Sequence, residues 1–533
     1  MLIDGRELRP DQVLHADVCV VGAGPAGITL VRELARAKLD VCLLESGGLS
    51  DHAPTQRLAS GMSKGLPYYP LHRARARAFG GTSKLWFSNI GLRSRPLDPM
   101  DFEVRPWIPN SGWPFDKHHL DPYYQGAQSV LGLGPYAYDV PTWETCVTPR
   151  LQLDESKLET TIFQLGNTSV FRNQLPELAR ADNIRVVLNA NVLEVEAADD
   201  SQMVSSLQVG SVGGQSFRAC ARVYVLSAGG IENARLLLLS KSRYAAGLGN
   251  QHDLVGRYFM EHVHVNSGYI RPTDKDTFPN HTLYSSHRHG STKLMGALAV
   301  TPQVQQSESI GNFSAFLHAT SESSASSRGV RSLRQIWQMA REGLWNKSAK
   351  DHVRNVLGQF SDVAAFTWRR LTPRRQPDLN ELAELGIMSE QVPNRESRVT
   401  LAPERDQFGQ NKARLDWRLT DQDYRTIVAS QGVIDHELRR AGLGTLEAKY
   451  ADESPRPTFG GGWHHMGTTR MHIDTKQGVV DADCKVHGVS NLYVAGSSVF
   501  PTGGFANPTL TIVALALRLA EHLQQALRFP EIA

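Results

Sequence analysis

Ala16-Asp17-Val18-Cys19-Val20-Val21-Gly22-Ala23-Gly24-Pro25-Ala26-Gly27 decides how this chain is read. A β-branched, apolar run enters a glycine-spaced turn and leaves it in the helix-patterned stretch Ile28 to Lys38, the order strand, tight turn, helix. The three glycines serve different ends. Gly22 permits the turn, Gly24 lets backbone approach a pyrophosphate, and Gly27 allows the helix to pack on the strand. The helix N-terminus then faces phosphate with its partial positive charge. A second apolar run, Asp40 to Glu45, ends 18 residues after Gly27 in a carboxylate placed to accept a hydrogen bond from a ribose 2′-hydroxyl. These features predict a dinucleotide site. Glu45 argues against the 2′-phosphate of NADP and leaves NAD and FAD both open.

Working outward, the composition is that of an ordinary globular chain. With 533 residues, 41% hydrophobic and 21% charged, a disordered, collagenous or fibrous protein is excluded. The length allows roughly two to four domains, which an α/β enzyme can interleave along the chain. A formal net charge of +3 is too balanced for a dedicated nucleic-acid binder. The five cysteines, Cys19, Cys42, Cys146, Cys220 and Cys484, are never spaced as CxxC, so neither a disulfide framework nor a thiolate zinc site is expected. Cys19 and Cys42 fall in strand-like runs and are expected in the core. Met1 to Asp17 lacks the apolar segment of a secretory signal, and no apolar run approaches the ~18 to 20 residues that cross a bilayer. The expectation is a soluble, cytoplasmic protein with a small-molecule site.

Near the other end, Phe459-Gly460-Gly461-Gly462-Trp463-His464-His465-Met466-Gly467-Thr468 sets two adjacent histidines behind a glycine run. Beyond it, Asn491 to Ala495 reads as a strand, Gly496 to Gly504 as a loop, and Pro508 to Leu523 as a helix with Pro508 in its first turn. Gly80-Gly81-Thr82-Ser83, Val225 to Asn233, Leu254 to Phe259 and Ser397 to Leu401 lie between the two ends. On these motifs, in this order, the sequence resembles the glucose-methanol-choline (GMC) family of FAD-dependent oxidoreductases. The resemblance implies an α/β fold in which a discontinuous, Rossmann-type FAD-binding domain covers 1–98, 183–260 and 475–533. A substrate domain of antiparallel sheet and helices would cover 99–182 and 261–474.

The resemblance also implies site residues. FAD would be held by Gly22, Gly24, Gly27, Glu45, Gly80, Gly81, Thr82, Ser83, Trp86, Asn89, Val192, Ala228, Gly229, Gly496, Ser497, Asn507, Pro508 and Thr509. His464 matches the family's active-site histidine and Asn507 its usual His-or-Asn partner. His465 competes with His464, because adjacent residues of an extended segment face opposite ways. The segment Gly80 to Trp86 is most similar to pyranose-oxidase and sugar-dehydrogenase relatives. Where some of these place a flavin-attaching histidine this chain has Leu85, so the implied FAD is non-covalent. Gly496 and Ser497 stand where the family often has an acid, which leaves flavin contacts there to backbone N–H groups. Trp86, Phe87 and Asn89 either lie against the flavin or pack as core. His262 and His264 lack a matching ligand pattern and read as a polar wall, with no metal expected.

Oxidising an alcohol requires a base for the hydroxyl proton and a carbinol carbon facing the flavin, which does the hard step. A neutral histidine suits the base, and an amide that donates and accepts without changing charge suits the orienting partner. The expected function is FAD-dependent oxidation of an alcohol group on a sugar-like or other polyhydroxylated molecule, with His464 as base. The electron acceptor, whether oxygen, a quinone or a redox protein, stays open. So do three rivals: a lyase on the same fold, a flavoprotein subunit docking to an electron carrier, and an NAD dehydrogenase. In the middle of the chain, the aromatics of Asp98 to Tyr124 either stack on a sugar or pack. After a serine-rich break at Ser321 to Ser327, residues 328–375 hold 11 Lys or Arg against 3 acids. Ile336, Trp337, Ala340 and Leu344, then Val353, Val356, Leu357, Phe360 and Ala364, predict two basic amphipathic helices. These would form a lid, a docking surface for a protein or membrane, or a packed surface with a solvated basic face.

Overall fold

Val18, Cys19, Val20 and Val21 are consecutive and all buried, so the C-terminal half of the strand Val13–Val21 is covered on both faces, as a central strand of a parallel sheet must be. The computed structural model describes residues 1–86, 90–198, 202–274, 281–320, 327–342, 349–371, 382–450 and 459–528. Val13–Val21 lies in an eight-stranded sheet between Val41–Leu44 and Ser216–Leu226, parallel to both. Leu492–Val494 extends the parallel arrangement beyond Ser216–Leu226, and Ile184–Leu188 extends it beyond Val41–Leu44. The register pairs Val21 with Leu44 and with Leu226, and Leu226 with Val494. Four strand ends therefore stop at one level, and the segments beginning at Gly22, Glu45, Ser227 and Ala495 emerge together along one edge of the sheet. In open α/β sheets this carboxyl edge is where ligands bind.

Two glycines make the first turn possible. Gly22 has φ +104°, which an L side chain rarely adopts. A Cβ on Gly27 would lie 2.0 Å from the Gly22 carbonyl oxygen, so the helix Pro25–Arg36 packs on its strand only with hydrogen at that position. This helix rests on the C-terminal helix Thr509–Arg528, which in turn packs on Lys117–Val130. Pro508 stands immediately before Thr509–Arg528.

A nine-stranded antiparallel sheet forms the second layer. It runs in the order Gly444–Ala448, Val263–Pro272, Leu382–Ser389, Phe313–Thr320, Thr292–Val300, Leu158–Gly166 and Leu92–Ser94, with two short strands, His287–His289 and Gly460–Gly461, on its flanks. The chain passes between the two sheets several times, first at Leu92–Ser94. Pairing of Val263 with Gly461 joins the His262 strand to the approach to His464. The aromatic segment after Asp98 packs as core: Phe102, Trp113 and Phe500 are buried against one another, and Trp113 Nε1 donates to Thr502 Oγ1 at 2.9 Å. Cys19 and Cys42 are buried, as their strand runs predict.

The basic insert forms three helices, Arg328–Glu342, Ala349–Gly358 and Phe360–Leu371, where the periodicity predicts two. The chain breaks after Gly358, between Leu357 and Phe360 of the second predicted stripe. Leu357, Phe360 and Trp368 are exposed and so are not all inward-facing. Leu344 lies outside the described residues. Among the described residues no helix is long and apolar enough to cross a membrane.

The crowding at Gly27 gives a stability prediction. Gly27→Ala is expected to lower the melting temperature of the purified protein and its flavin content together, since the methyl forces helix and strand apart. Both quantities are read from one thermal melt and one absorption spectrum.

Candidate functional site

The loops beyond the aligned strand ends surround a cleft with about 2200 Å³ of empty space, its open mouth included. Two helices start at it, Pro25–Arg36 behind Gly24 and Gly230–Leu239 behind Gly229, and neither has a side-chain cap. A Cβ built on Gly24 or on Gly229 meets nothing within 4 Å, so both backbones face open space with uncapped N–H groups. Such a pair of helix ends is suited to a pyrophosphate. Glu45 is buried beside them, its Oε2 accepting from the Ala23 N–H and its Oε1 from the Gly47 N–H, both at 2.8 Å. Burial raises its proton affinity while those N–H groups oppose the rise. Oε1 also accepts from the Ser46 hydroxyl at 3.2 Å, and Oε2 keeps a second lone pair for a ribose hydroxyl.

Gly22, Gly24, Glu45, Gly81, Thr82, Ser83, Trp86, Val192, Ala228, Gly229, Gly496, Ser497, Asn507, Pro508 and Thr509 all line the cleft. Gly27 and Gly80, expected to hold FAD, do not line it; Gly27 lies behind the first turn, packed against Gly22 and Ser227. Gly80 N–H donates to the Ala23 carbonyl at 2.8 Å and braces the first turn from outside. Asn89, and Phe87 with it, lie outside the described residues.

Three imidazoles meet at the other end of the cleft. His464 Nδ1 is 2.8 Å from His262 Nδ1, and the His264 ring centroid is 5.9 Å from that of His464. His464 Nε2 is 3.3 Å from Asn507 Nδ2. His262 Nε2 is 3.4 Å from the Gly503 carbonyl, which only accepts, so the proton of a neutral His262 sits on Nε2. His262 Nδ1 is then an acceptor, and the short contact requires the proton of His464 on Nδ1. The lone pair of His464 Nε2 is then left at the cleft, where it accepts from the Asn507 Nδ2–H. Burial holds His262 neutral, pushing it down to about 4. Burial, the neighbouring His262, His264 and His465 rings, and Arg93 push His464 well below the ordinary histidine value.

His465 turns the other way. Its Nε2 is 2.8 Å from the Tyr68 hydroxyl, which donates to Glu261 Oε1. Glu261 Oε2 accepts from the N–H groups of Gly462 and His464 at 3.0 and 2.8 Å, fixing the histidine segment to the second sheet. Burial raises Glu261 to about 7 against these hydrogen bonds. His262, Tyr68 and Glu261 are functional neighbours that the sequence did not reveal as such. The reading of His262 as a polar wall missed its bond to His464, and the Glu261-His-Val-His spacing was the available signal.

The residues present fit FAD on two counts. The glycine cradle is open at Gly24 and Gly229, and two buried cleft-lining atoms, Asn507 Oδ1 and His264 Nε2, have no hydrogen-bond partner among the described residues. No group of three His, Cys, Asp or Glu among the described residues is arranged to hold a metal ion.

The family model described as GMC oxidoreductase matches residues 393–516, which contain His464, His465 and Asn507. The chain is 24% identical to the 6'''-hydroxyparomomycin C oxidase of Streptomyces lividus, over 95% of its own length and 92% of that protein's. It is also 24% identical to the 2-methyl-1,2-propanediol dehydrogenase of Mycolicibacterium austroafricanum, over 97% and 96%. Its fold superposes on the crystal structure of pyridoxine 4-oxidase from Mesorbium loti with a TM-score of 0.53 at 15% identity, covering 95% of this chain and 99% of that one.

The open space beside Gly24 makes that glycine a probe of the phosphate contact alone. Its φ of −86° and ψ of −173° suit alanine, so Gly24→Ala is expected to keep the melting temperature of the apoprotein while weakening FAD binding at least about tenfold. Titration of apoprotein with FAD, followed by flavin fluorescence, measures it.

Proposed function

Because the chain belongs to the GMC oxidoreductases, enzymes that use FAD to oxidise alcohols or sugars, we propose that it oxidises an alcohol group of a sugar-like or other polyhydroxylated molecule with His464 as base. The observation that carries this reading is the lone pair of His464 Nε2, turned to the cleft by the bond to His262 and set 3.3 Å from Asn507. Support for a sugar-like substrate comes from relatives whose names carry one, such as the S. lividus oxidase.

Bound FAD supplies the hydride acceptor; proton handling and orientation belong to the protein. A substrate hydroxyl that displaces the Asn507 N–H from His464 Nε2 donates to the imidazole lone pair and accepts from the Asn507 amide N–H. Two hydrogen bonds to one oxygen fix the direction of its carbinol C–H bond, which is the orientation hydride departure needs. As the hydroxyl proton moves onto Nε2, His464 becomes a cation. The His262 lone pair at its Nδ1–H stabilises that charge in a site from which bulk water is largely excluded. His465 keeps a structural role through Tyr68 and Glu261, which hold the main chain of His464 still. In the same reading, the parallel sheet and its loops hold FAD and the antiparallel sheet holds substrate. Leu85, which precedes Trp86 at the cleft, offers no nucleophile for a flavin bond.

Two outcomes test this. His464→Ala is expected to slow anaerobic bleaching of the flavin by alcohol at least about tenfold while FAD stays bound, and stopped-flow absorbance reads both. Unchanged bleaching moves the role to His465. In the wild-type enzyme a base pushed below its ordinary value is neutral above that lowered value. Bleaching should therefore fall only on the acid side, with a midpoint below 6.5, and Glu261→Gln should retain that limb while His464→Ala loses it.

A further inference from the structure

Strand Leu92–Ser94, at the edge of the antiparallel sheet, places Arg93 in the wall of the cleft beside His264 and His464. Its guanidinium carbon lies 4.5 Å from the centroid of the Phe316 ring. Its charge reaches His264, His318 and His464, lowering the proton affinity of all three. The other cleft arginines are compensated. Arg75, Arg77 and Arg235 share Glu232 at 2.6, 2.6 and 2.7 Å, and Arg235 also meets Asp406 at 2.7 Å. Arg93 differs: among the described residues no carboxylate and no hydrogen-bond acceptor meets its guanidinium, and burial alone shifts its proton affinity, downward. Next to it, His264 Nε2 is buried and also lacks a partner among the described residues.

A half-buried cation without a counter-charge is incompletely compensated, and an aromatic face offsets only part of that cost. A planar fork of five N–H donors is matched best by a carboxylate, which takes two of them at once. The same cleft is lined by compensating acids for three arginines at its far end, whereas no carboxylate lines it beside the imidazoles, Glu261 lying behind the main chain of His464, so the missing negative charge lies where substrate enters. We propose that Arg93 is an anion subsite of the substrate pocket, and that the polyhydroxylated substrate of this enzyme is an acid whose carboxylate Arg93 binds while its alcohol meets His464 and Asn507. The proposal rests on the alcohol-oxidising reading of the cleft. Flavin would lie between the helix N-termini and the imidazoles, so a competing use of Arg93, toward the flavin ring, is a defined alternative outcome.

The test uses oxidised holoenzyme, so binding is read without turnover. Three matched pairs are titrated against the flavin spectrum: D-glucuronate and D-glucose, D-gluconate and D-glucitol, lactate and propane-1,2-diol. The acid member of at least one pair should bind at least about tenfold more tightly than its neutral partner. That preference should fall at least about tenfold in Arg93→Gln and be partly restored in Arg93→Lys, which keeps the charge and loses the fork. Flavin content and melting temperature establish that each variant is folded. No preference for the acid in any pair overturns the proposal. So does an Arg93→Gln variant that weakens acid and neutral ligands equally or shifts the flavin potential without ligand, since either assigns the arginine to the cofactor. Failure of the base reading is a separate result, because it shows in alcohol-driven bleaching by His464 variants and leaves these affinities unchanged.

Discussion

Two like nitrogens, His262 Nδ1 and His464 Nδ1, face each other at 2.8 Å, and that contact is attractive only if a single one of them carries a proton. Which one is settled at the far side of the His262 ring, by the carbonyl of Gly503 at Nε2. The loop that follows Leu492–Val494 therefore reaches the cleft through two routes: directly through Asn507, and through His262 by setting the tautomer of His464. The loop is itself held tightly. Thr502 Oγ1 donates to the Asp101 carbonyl at 2.6 Å and accepts from Trp113, and a Cβ on Gly504 would lie 2.2 Å from an Asp101 carboxylate oxygen. The aromatic segment after Asp98 thus buttresses the loop that orients the imidazoles, and none of its residues lines the cleft.

Charge is distributed unevenly along the cleft, and low dielectric makes that unevenness matter. At the glycine-rich end, the network around Glu232 compensates most of three guanidinium charges, and Glu232 is held ionised far below the usual carboxylate range despite its burial. At the imidazole end burial keeps the histidines neutral, and Arg93 adds to its effect at His264 and His464. Neutral bases next to a fixed cation suit removal of a proton from a neutral hydroxyl, because the rings enter the reaction unprotonated.

The parts legible in sequence were those written in short-range pattern. The spacing of Gly22, Gly24 and Gly27 and the terminal Glu45 pointed to the strand, turn and helix, since Gly22 and Gly27 answer local steric demands and Gly24 leaves the backbone open to a ligand. His464 and Asn507 came from motif matching, 43 residues apart, and the fold brings them within 3.3 Å of each other. The partnership of His262 with His464 spans 202 residues, and no periodicity encodes it. The same holds for Tyr68 and Glu261, 193 residues apart, which bind the His465 ring and the main chain at His464. The apolar stripe Val353 to Ala364 keeps a helical period across Gly358, so the pattern overlooked a break that backbone freedom at glycine permits. Arg93 carries no motif; its significance is the absence of a facing acid among the described residues, which only three dimensions reveal.

Nitrogen-15 magnetic resonance of histidine-labelled, oxidised holoenzyme at neutral pH tests the central claim most directly, with His262→Phe and His464→Ala variants to assign the signals. The account predicts His464 protonated on Nδ1 and bare on Nε2, and His262 protonated on Nε2 and bare on Nδ1. A His464 ring protonated on Nε2, or on both nitrogens, would contradict it, because no lone pair would then face the substrate.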